Sequence, residues 1–375
     1  MKILMVAPLP PYHRGGIERV VGELAQRLSL DHDADVHVWS GTLGHAGTCD
    51  WKGVQVRTYP TSKRAAYASL RMFTDLKRFA RDVDVVHAHG SSTLIPLVAA
   101  LTAGRTPLVI SPHFHPQASN NLLGILKFPF DRTVDRYTLS KANKVVCVSE
   151  TEAATIRERF AVENKLSVIY NGVNADEIQD AEPYEFDGTL ILYVGRLERY
   201  KNVQRVIEAV DYLPEDFAFY VIGEGPYTSE LRAIIQRNQL GGRVRLLGTC
   251  TDADLYRWMK TSALIVNLSE VEAFGITVLE ALAAGKPVLV NDVFGLHELA
   301  ERFRGAVVSI QAGKTNAPEL AKALEDAVRL HSAVDLDEYR WDRIASRTLE
   351  TYEEVKSLRE IVQEGTRERK ALRSR

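Results

Sequence analysis

The sequence alternates short apolar runs with longer amphipathic stretches, and it does so twice. The first series begins with KILMVAP at residue 2 and ends with LSVIYNG (166–172). The second begins with TLILYVGRL (189–197) and ends with PELAKALEDAVRL (318–330). Short apolar runs bounded by turns predict buried strands, and the amphipathic stretches predict helices. The alternation is typical of βαβ units on a mostly parallel sheet, so we predict an α/β fold with two doubly wound domains.

The length of the chain agrees with two domains, because 375 residues exceed what one hydrophobic core normally serves. We expect a first domain over residues 1–172 and a second over residues 188–349. The stretch between them, 173–187, is rich in acidic residues and contains Pro183, which predicts a linker with a hinge. In such domains ligands bind at the carboxyl ends of the strands, so we expect the site in a cleft between the two.

Composition disfavours several classes of function. The formal net charge of -2 gives no overall field that recruits nucleic acid. Three cysteines without CxxC spacing argue against a disulfide framework and a thiolate metal site. The apolar run in MKILMVAPLPP is too short for a signal peptide, and no segment approaches ~20 uncharged apolar residues. We therefore expect a soluble cytoplasmic protein.

Two glutamates, Glu272 and Glu280, lie in SEVEAFGITVLEALAAGKPVLV (269–290). A helix that begins near Gly275 contains Glu280 and leaves Glu272 in the preceding loop. Carboxylates accept hydrogen bonds from sugar hydroxyls, and the amides of a helix N-terminus favour phosphate oxygens. The pair indicates a pocket for a polyhydroxylated, phosphate-bearing ligand. Surface glutamates on a solvated helix are the alternative.

A glycine pair, Gly15 and Gly16, follows the first predicted strand and precedes a helix whose first turn carries Glu18. Glycines at a helix mouth let backbone N–H groups approach a phosphate closely. The spacing is not GxGxxG, which disfavours a nicotinamide dinucleotide. A tight strand-to-helix turn is the alternative.

Four histidines follow or end two predicted strands, in VVHAHGSS and SPHFHPQ. We favour His113 as the residue that reaches a reacting sugar, with His87, His89 and His115 packed or hydrogen-bonded around it. Residues two apart on a strand share a face, so a metal site is the alternative. No carboxylate on either strand supports a metal.

Two basic residues, Arg196 and Lys201, lie just past a strand in YVGRLERYKN. An arginine fork and a lysine point charge can neutralise two phosphate groups. Lys201 leads the next helix, where a cation opposes the dipole and suggests an anionic ligand nearby. Solvated surface charges are the alternative. Glycine turns in VIGEGP (221–226) and NDVFGLHE (291–298) complete the rim.

Together these motifs resemble those of the GT-B glycosyltransferases, specifically the large retaining family numbered four, over essentially the whole chain. The resemblance rests on the following stretches: Gly15-Gly16, SPHFH, VCVSE (146–150), VIYNGVN (168–174), YVGRLERYKN, VIGEGP, and EAFGITVLE from Glu272 to Glu280. It implies that a nucleotide-diphosphate sugar binds mainly to the second domain and an acceptor mainly to the first. It also implies that a C-terminal helix over about 350–375 crosses back onto the first domain.

The resemblance also implies roles for single residues. His113, Arg196, Lys201 and Glu272 form the catalytic set, in which the two cations hold the diphosphate and Glu272 binds sugar hydroxyls. The donor-binding set comprises Gly15, Gly16, Gly223, Ala273, Phe274, Gly275, Ile276 and Glu280, with Glu280 on the ribose. The donor is a substrate, and no cofactor or metal is expected. Where the family often has Gly-Gly, this chain has Phe294-Gly295, which puts donor contacts there in doubt.

The implied reaction is retaining transfer of a hexose-type sugar from a UDP- or GDP-linked donor to a hydroxyl acceptor. A sugar-nucleotide epimerase or phosphorylase of the same architecture is an alternative. A non-catalytic sugar-nucleotide-binding protein is another. The non-catalytic alternative is disfavoured because the chain has all four of the candidate residues Glu272, Glu280, Arg196 and Lys201.

Two segments bear on the acceptor, TSKRAAYASLRMFTDLKRFARDVD (61–84) and NNLLGILKFPFDRTVDRY (120–137). The first has an amphipathic pattern with Leu70, Phe73, Leu76 and Phe79 spaced on one face, and its basic residues are Lys63, Arg64, Arg71, Lys77, Arg78 and Arg81. That pattern suits a helix that meets anionic lipid. A lipid-linked or cell-surface glycan acceptor, with the protein peripheral on the inner face of the cell membrane, is one expectation. Ordinary packing of both segments on the first domain is the other.

Overall fold

The computed structural model describes residues 1–62, 66–91, 93–114 and 133–373, with side chains as far as residue 361. His115, Lys63, Arg64 and residues 120–132 of the second acceptor segment lie outside the described residues. The chain divides into two compact units, Met1–Asn171 with Trp341–Arg375, and Gly172–Arg340.

The first unit contains an eight-stranded sheet in the order β3-β4-β2-β1-β5-β6-β7-β8. Its strands are β1 (Lys2–Ala7), β2 (Asp35–Thr42), β3 (Thr48–Trp51), β4 (Val54–Pro60), β5 (Val85–His89), β6 (Leu108–Ser111), β7 (Lys144–Cys147) and β8 (Leu166–Val168). Its described helices begin with α1 (Gly16–Leu30), α2 (Leu70–Phe79), α3 (Ile95–Thr102), α4 (133–141) and α5 (Glu150–Phe160). All neighbours pair in parallel except β3, which runs antiparallel to β4 at the edge.

The second unit contains a six-stranded parallel sheet in the order β11-β10-β9-β12-β13-β14. Its strands are β9 (Thr189–Val194), β10 (Phe217–Ile222), β11 (Val244–Gly248), β12 (Leu264–Asn267), β13 (Val288–Asn291) and β14 (Val307–Ile310). Its helices are α6 (Ala175–Gln179), α7 (Val203–Ala209), α8 (Thr228–Arg237), α9 (Asp252–Thr261), α10 (Ile276–Ala283), α11 (Phe294–Arg302) and α12 (Ala317–Ala327).

Each unit has its own core, which explains why both sheets read as continuous apolar runs. In the first, Leu4 and Val86 of neighbouring strands are fully buried against helices such as that carrying Leu76. In the second, Ile191 and Phe219 are buried in the same way. Strands buried on both faces are characteristic of doubly wound sheets. The predicted pair of Rossmann-like α/β domains is confirmed.

The stretch 173–187 differs from the predicted linker, because it belongs to the second unit and contains α6. Tyr184 fixes its later part: its backbone N–H donates to Thr261 Oγ1 at 2.8 Å and its hydroxyl donates to Asp254 at 2.7 Å. Its ring also lies 4.4 Å from that of Trp258. These aromatic and polar contacts hold the later part of the segment against α9, and the hinge inferred from acidic composition and Pro183 remains a prediction.

The final helix, α13 (Trp341–Arg373), belongs to the first unit and begins earlier than the expected residue 350. Trp341, Tyr352 and Val355 are buried there. Lys144 and Glu354 form an ion pair at 2.8 Å that ties the helix to β7. No helix in the described ranges is both long and apolar enough to span a bilayer.

Candidate active site

Two loops of the second unit meet because the strands before them are neighbours. Strand β9 pairs in parallel with β12, with Ile191 opposite Leu264. The carboxyl ends of parallel strands lie at one edge of the sheet. The loop 195–202 therefore lies beside the loop 268–275, although some 70 residues separate them in sequence.

Lys201 and Glu272 form the central contact between these loops. Lys201 Nζ donates to Glu272 Oε2 at 2.8 Å, and both side chains are largely withdrawn from solvent. Burial lowers the pKa of Lys201, but the Glu272 carboxylate and the neighbouring Tyr200 outweigh that effect, so the pKa is raised overall. The ammonium group is therefore charged at neutral pH. The structure thus brings together a cation and a carboxylate that were predicted from separate motifs.

Asn202 holds the two loops in register, and the sequence reasoning missed it. This residue is buried and adopts left-handed backbone angles (φ 58°) at the start of α7. Its side-chain amide donates to the Leu268 carbonyl at 2.9 Å, while Glu270 donates its N–H to the Tyr200 carbonyl at 2.9 Å. The available signal was an asparagine next to the candidate lysine, since asparagine tolerates this conformation better than most residues.

The loop that carries Glu272 turns into α10 at Gly275, as predicted. Gly275 has φ 102°, a region that favours glycine, and it caps a helix that starts at Ile276. Phe274 is buried with its ring 6.4 Å from that of Tyr339. Glu280 lies inside the helix and is 2% exposed. The buried Phe274 and the left-handed Gly275 thus define the turn into α10, and Glu280 places a carboxylate in the interior, where charge requires hydrogen-bond or ionic partners.

Arg196 does not join the contact between Lys201 and Glu272. Its guanidinium pairs with Glu198 at 2.9 Å, and its side chain is 60% exposed. Its charge is still close enough to oppose the protonation of Lys201. The backbone of its turn is held by Tyr193, whose hydroxyl donates to the Arg196 carbonyl at 3.0 Å. Arg196 therefore lies in the same loop, with a paired side chain at the surface.

Gly223 is required by close backbone packing. It has φ 135°, and a Cβ there would collide with the carbonyl oxygen of Gly195. Its N–H donates to the Gly248 carbonyl at 2.7 Å, and Gly195 donates to Ile222 at 3.0 Å. Gly223 thus supports the turn that carries Arg196. Its assignment as a donor ligand remains a prediction.

The Phe294-Gly295 turn, where the family often has two glycines, packs beneath the Glu272 loop. A Cβ on Gly295 would collide with the Ala273 carbonyl and lie 2.7 Å from Phe274 Cα. Gly295 is therefore needed for space. Phe294 adopts φ 41°, a left-handed conformation that is strained for an aromatic residue. Position 294 thus keeps the left-handed backbone conformation that a glycine would adopt easily, although it carries an aromatic side chain.

In the first unit, Gly15 and Gly16 open α1 after β1. Gly15 is extended, and a Cβ there would collide with the carboxylate of Glu18. No described atom lies within 4 Å of a Cβ placed on Gly16. Glu18 is buried and brings a carboxyl group to this turn. The proposed contact between the Gly16 amide and a phosphate remains a prediction.

Three histidines, His87, His89 and His113, form a row at the ends of β5 and β6. His87 Nδ1 lies 2.6 Å from the Tyr352 hydroxyl, and its Nε2 lies 2.9 Å from Ser111 Oγ. His89 Nδ1 lies 3.2 Å from His113 Nε2. The rings of His87 and His89 are 4.0 Å apart. No group of three side chains suited to hold a metal occurs in the described part of the chain.

A buried carboxylate, Glu152, fixes the backbone beside His113 and was also missed. Its side chain accepts hydrogen bonds from the N–H of Phe114 and, at 2.6 Å, from the N–H of Val148. It is 3% exposed and lies in the first turn of α5, where a negative charge is favourable. The signal in the sequence was an acidic residue after the helix-capping Ser149.

Burial of the histidine row predicts a loss of stability in acid. Burial, followed by the charge of His113, lowers the pKa of His87 from 6.5 to about 3. Between those pH values the unfolded chain binds a proton that the folded unit excludes, so stability falls as pH falls. His87 alone accounts for about 2 kcal/mol at pH 5. We expect the melting temperature of the wild type to fall between pH 7.5 and pH 5. The fall should be smaller in His87→Gln and unchanged in the control His45→Gln, which alters an exposed histidine. Equal falls in the wild type and both variants would contradict the prediction.

Comparison with known proteins assigns the family. Residues 174–340 match Glycosyl transferases group 1, and residues 14–177 match Glycosyltransferase Family 4. The two matches together extend through most of both units. The chain belongs to the group 1 glycosyltransferases, with a Family 4-type first domain.

Relatives of this glycosyltransferase match along most of its length. An uncharacterised glycosyltransferase of Methanocaldococcus jannaschii is 25% identical over 88% of this chain and 88% of its own. The phosphatidylinositol N-acetylglucosaminyltransferase GPI3 subunit of Saccharomyces cerevisiae is 26% identical over 92% of this chain and 80% of its own. The structure of HepE from Anabaena in complex with UDP and glucose has a TM-score of 0.68 at 19% identity, covering 98% of this chain and 100% of that one. The fold of the glycosyltransferase is therefore GT-B.

Proposed function

We propose that this glycosyltransferase moves a hexose-type sugar from a UDP- or GDP-linked donor to a hydroxyl acceptor, with retention and without a metal ion. The observation that carries the proposal is the Lys201–Glu272 pair at 2.8 Å between two adjacent strand ends. It presents a cation for diphosphate and a carboxylate for sugar hydroxyls. Glu280, buried in the next helix, supplies the carboxylate for ribose.

The chemistry follows from where charge develops. As the bond from the anomeric carbon to phosphate oxygen breaks, negative charge grows on the departing diphosphate. A lysine ammonium has three N–H donors, so Lys201 can retain Glu272 and still donate to a diphosphate oxygen. The attraction between Lys201 and the diphosphate strengthens as the leaving group gains charge, so it stabilises the transition state more than the bound donor and lowers the barrier. Arg196 and the Gly16 amide add to this in our proposal, and no metal is needed.

Retention requires the acceptor oxygen to arrive on the face that the diphosphate leaves. We propose that a phosphate oxygen of the leaving group takes the acceptor proton as the new bond forms. His113 contacts the sugar near the anomeric carbon in this scheme, and Glu272, with the amides of Phe274 and Gly275, holds its hydroxyls. No protein nucleophile takes part.

A thermal-shift screen followed by a transfer assay tests the proposal. UDP-, GDP-, ADP- and dTDP-sugars are compared at matched concentrations, because a bound donor stabilises the folded protein by mass action. We expect one nucleotide to stand out and its sugar to be released or transferred in the presence of EDTA. Turnover only with a free glycan and inorganic phosphate would indicate a phosphorylase. Isomerised donor would indicate an epimerase, and binding without turnover a sensor.

For the acceptor, we propose a lipid-linked glycan or glycolipid met at an anionic membrane surface. Helix α2 buries Met72 and Leu76 in the first unit, so its apolar face is partly used in the core. Leu70 is 81% exposed at its start. The exposed residues that carry positive charge are Arg71, Lys77, Arg78 and Arg81. The yeast relative, which acts on phosphatidylinositol by name, supports this acceptor class.

We expect charge reversal on α2 to weaken binding to anionic vesicles. The double variant Lys77→Glu/Arg78→Glu changes the local charge by four, and each basic residue near an anionic surface contributes about 1 kcal/mol. Co-sedimentation with phosphatidylserine-containing liposomes at low salt should fall at least tenfold. The matched control reverses two exposed residues of the second unit, Arg237→Glu/Lys314→Glu, and should bind as the wild type. Wild-type protein that fails to sediment at low salt would contradict the proposal.

A further inference from the structure

The row of imidazoles in the first unit has a defined proton arrangement at its inner end. His87 is fully buried, and burial keeps the pKa of both His87 and His89 low, so the two rings are neutral. Burial also raises the pKa of Tyr352, so its hydroxyl is protonated and donates to His87 Nδ1. His87 then carries its proton on Nε2 and donates it to Ser111 Oγ.

The contact between His89 and His113 can be formed in two ways. Either His89 Nδ1–H donates to His113 Nε2, or His113 Nε2–H donates to His89 Nδ1. In the second arrangement a neutral His89 carries its proton on Nε2. That atom is buried and has no hydrogen-bond partner among the residues that the structure describes.

Burial of an unsatisfied donor decides between the two. A buried N–H without a partner costs about 1–3 kcal/mol, and orphaned donors are rarer in proteins than under-used acceptors. The first arrangement leaves only a lone pair on His89 Nε2. It is therefore favoured, and it requires His113 to accept at Nε2 and to carry its proton on Nδ1.

The backbone of His113 is fixed independently of its ring. The residue has φ 49°, which is uncommon for a non-glycine residue. Glu152 accepts from the N–H of the following residue, Phe114, and from Val148 of the next strand end. The Glu152 hydrogen bonds hold the backbone beside His113, and the contact with His89 determines which ring nitrogen of His113 carries the proton.

We propose that His89 is a positioning residue that holds His113 as the Nδ1–H tautomer, so that His113 acts on the donor sugar as a hydrogen-bond donor. This inference rests on the proposed glycosyl transfer for its functional meaning. The tautomer itself does not depend on that function. His113 would then recognise a sugar hydroxyl oxygen, and it would not serve as the base that removes the acceptor proton.

The test reads the tautomer directly. Two-bond ¹H–¹⁵N correlation spectra of protein labelled with ¹⁵N-histidine distinguish the protonated imidazole nitrogen, and a His113→Gln spectrum assigns the His113 signals. At pH 7.5 we expect protonation at Nδ1 in the wild type. Protonation at Nε2 would overturn the proposal.

Variants of His89 connect the tautomer to turnover. His89→Asp replaces the donor with an acceptor, so His113 should carry its proton on Nε2 and kcat should fall about 10-fold to 100-fold with little change in donor KM. His89→Asn places an amide donor near the former Nδ1 and should recover the tautomer and most of the rate. Equal kcat in both variants would refute the role of His89. If His89→Asp does not fold, the wild-type and His89→Asn spectra still decide. If no sugar is transferred while His113 carries Nδ1–H, the proposed function fails and the tautomer assignment stands.

Discussion

Lys201→Ala should lower kcat for sugar transfer by roughly 10²–10³, the usual loss when one preorganised charge is removed from a developing anion. The side chain is buried against Glu272 at 2.8 Å, so water does not readily replace the ammonium group. Donor KM should change less than kcat, since the interaction strengthens as the leaving group gains charge. Steady-state kinetics with the donor identified by the screen would measure both constants.

Two controls separate chemistry from stability in that experiment. Arg199→Ala removes an exposed cation from the same turn and should leave kcat within about twofold. Lys201→Ala also leaves Glu272 without its ion partner, which destabilises the loop. The double variant Lys201→Ala/Glu272→Gln should regain melting temperature without regaining turnover. Unchanged kcat in Lys201→Ala would remove Lys201 from the mechanism.

Gly223→Ala should be among the most destabilising single substitutions in the second unit. The added methyl group would collide with the Gly195 carbonyl, and φ 135° is unfavourable for alanine. Backbone atoms cannot move aside as a flexible side chain can, so we expect a loss of about 3 kcal/mol or more. The melting temperature should fall by roughly 6–12 °C, and the shift caused by the preferred donor should shrink as the Arg196 turn moves.

Gly242→Ala is the matched control for that substitution. No described atom lies within 4 Å of a Cβ there, and its φ is not in the left-handed region. Its melting temperature should stay within about 2 °C of the wild type. If Gly223→Ala had the same melting temperature as Gly242→Ala, the Gly223 and Gly195 turns would be able to move apart without loss of stability, and the prediction would be wrong.

Patterns local in sequence predicted most of the fold. The start of α10 just after Gly275 follows from a glycine before an apolar periodic stretch, and both sheets follow from short apolar runs. For Lys201 and Glu272 the sequence predicted a shared site but no direct contact. Their contact depends on β9 and β12 being neighbours, which is a property of strand order.

The features that sequence reasoning did not predict come from contacts that sequence spacing does not encode. Beside the acidic stretch around Pro183, Tyr184 packs on α9, a contact that composition does not predict. Glu152 binds the Phe114 N–H and Asn202 binds the Leu268 carbonyl, and neither distant partner can be read from the sequence around these two residues. Arg196 and Lys201 are close in sequence, but the Arg196 guanidinium pairs with Glu198 rather than with the Glu272 loop, and its contact with a diphosphate remains a prediction. Tyr352 reaches His87 from a helix near the other end of the chain.

The return of α13 to the first unit has a consequence for biosynthesis. Trp341, Tyr352 and Val355 complete a core whose other members were translated before the whole second unit. On the ribosome, domains generally fold in order as they emerge. Here the earlier-made half must wait for the last helix, so the later-made half can be the first to reach its native state.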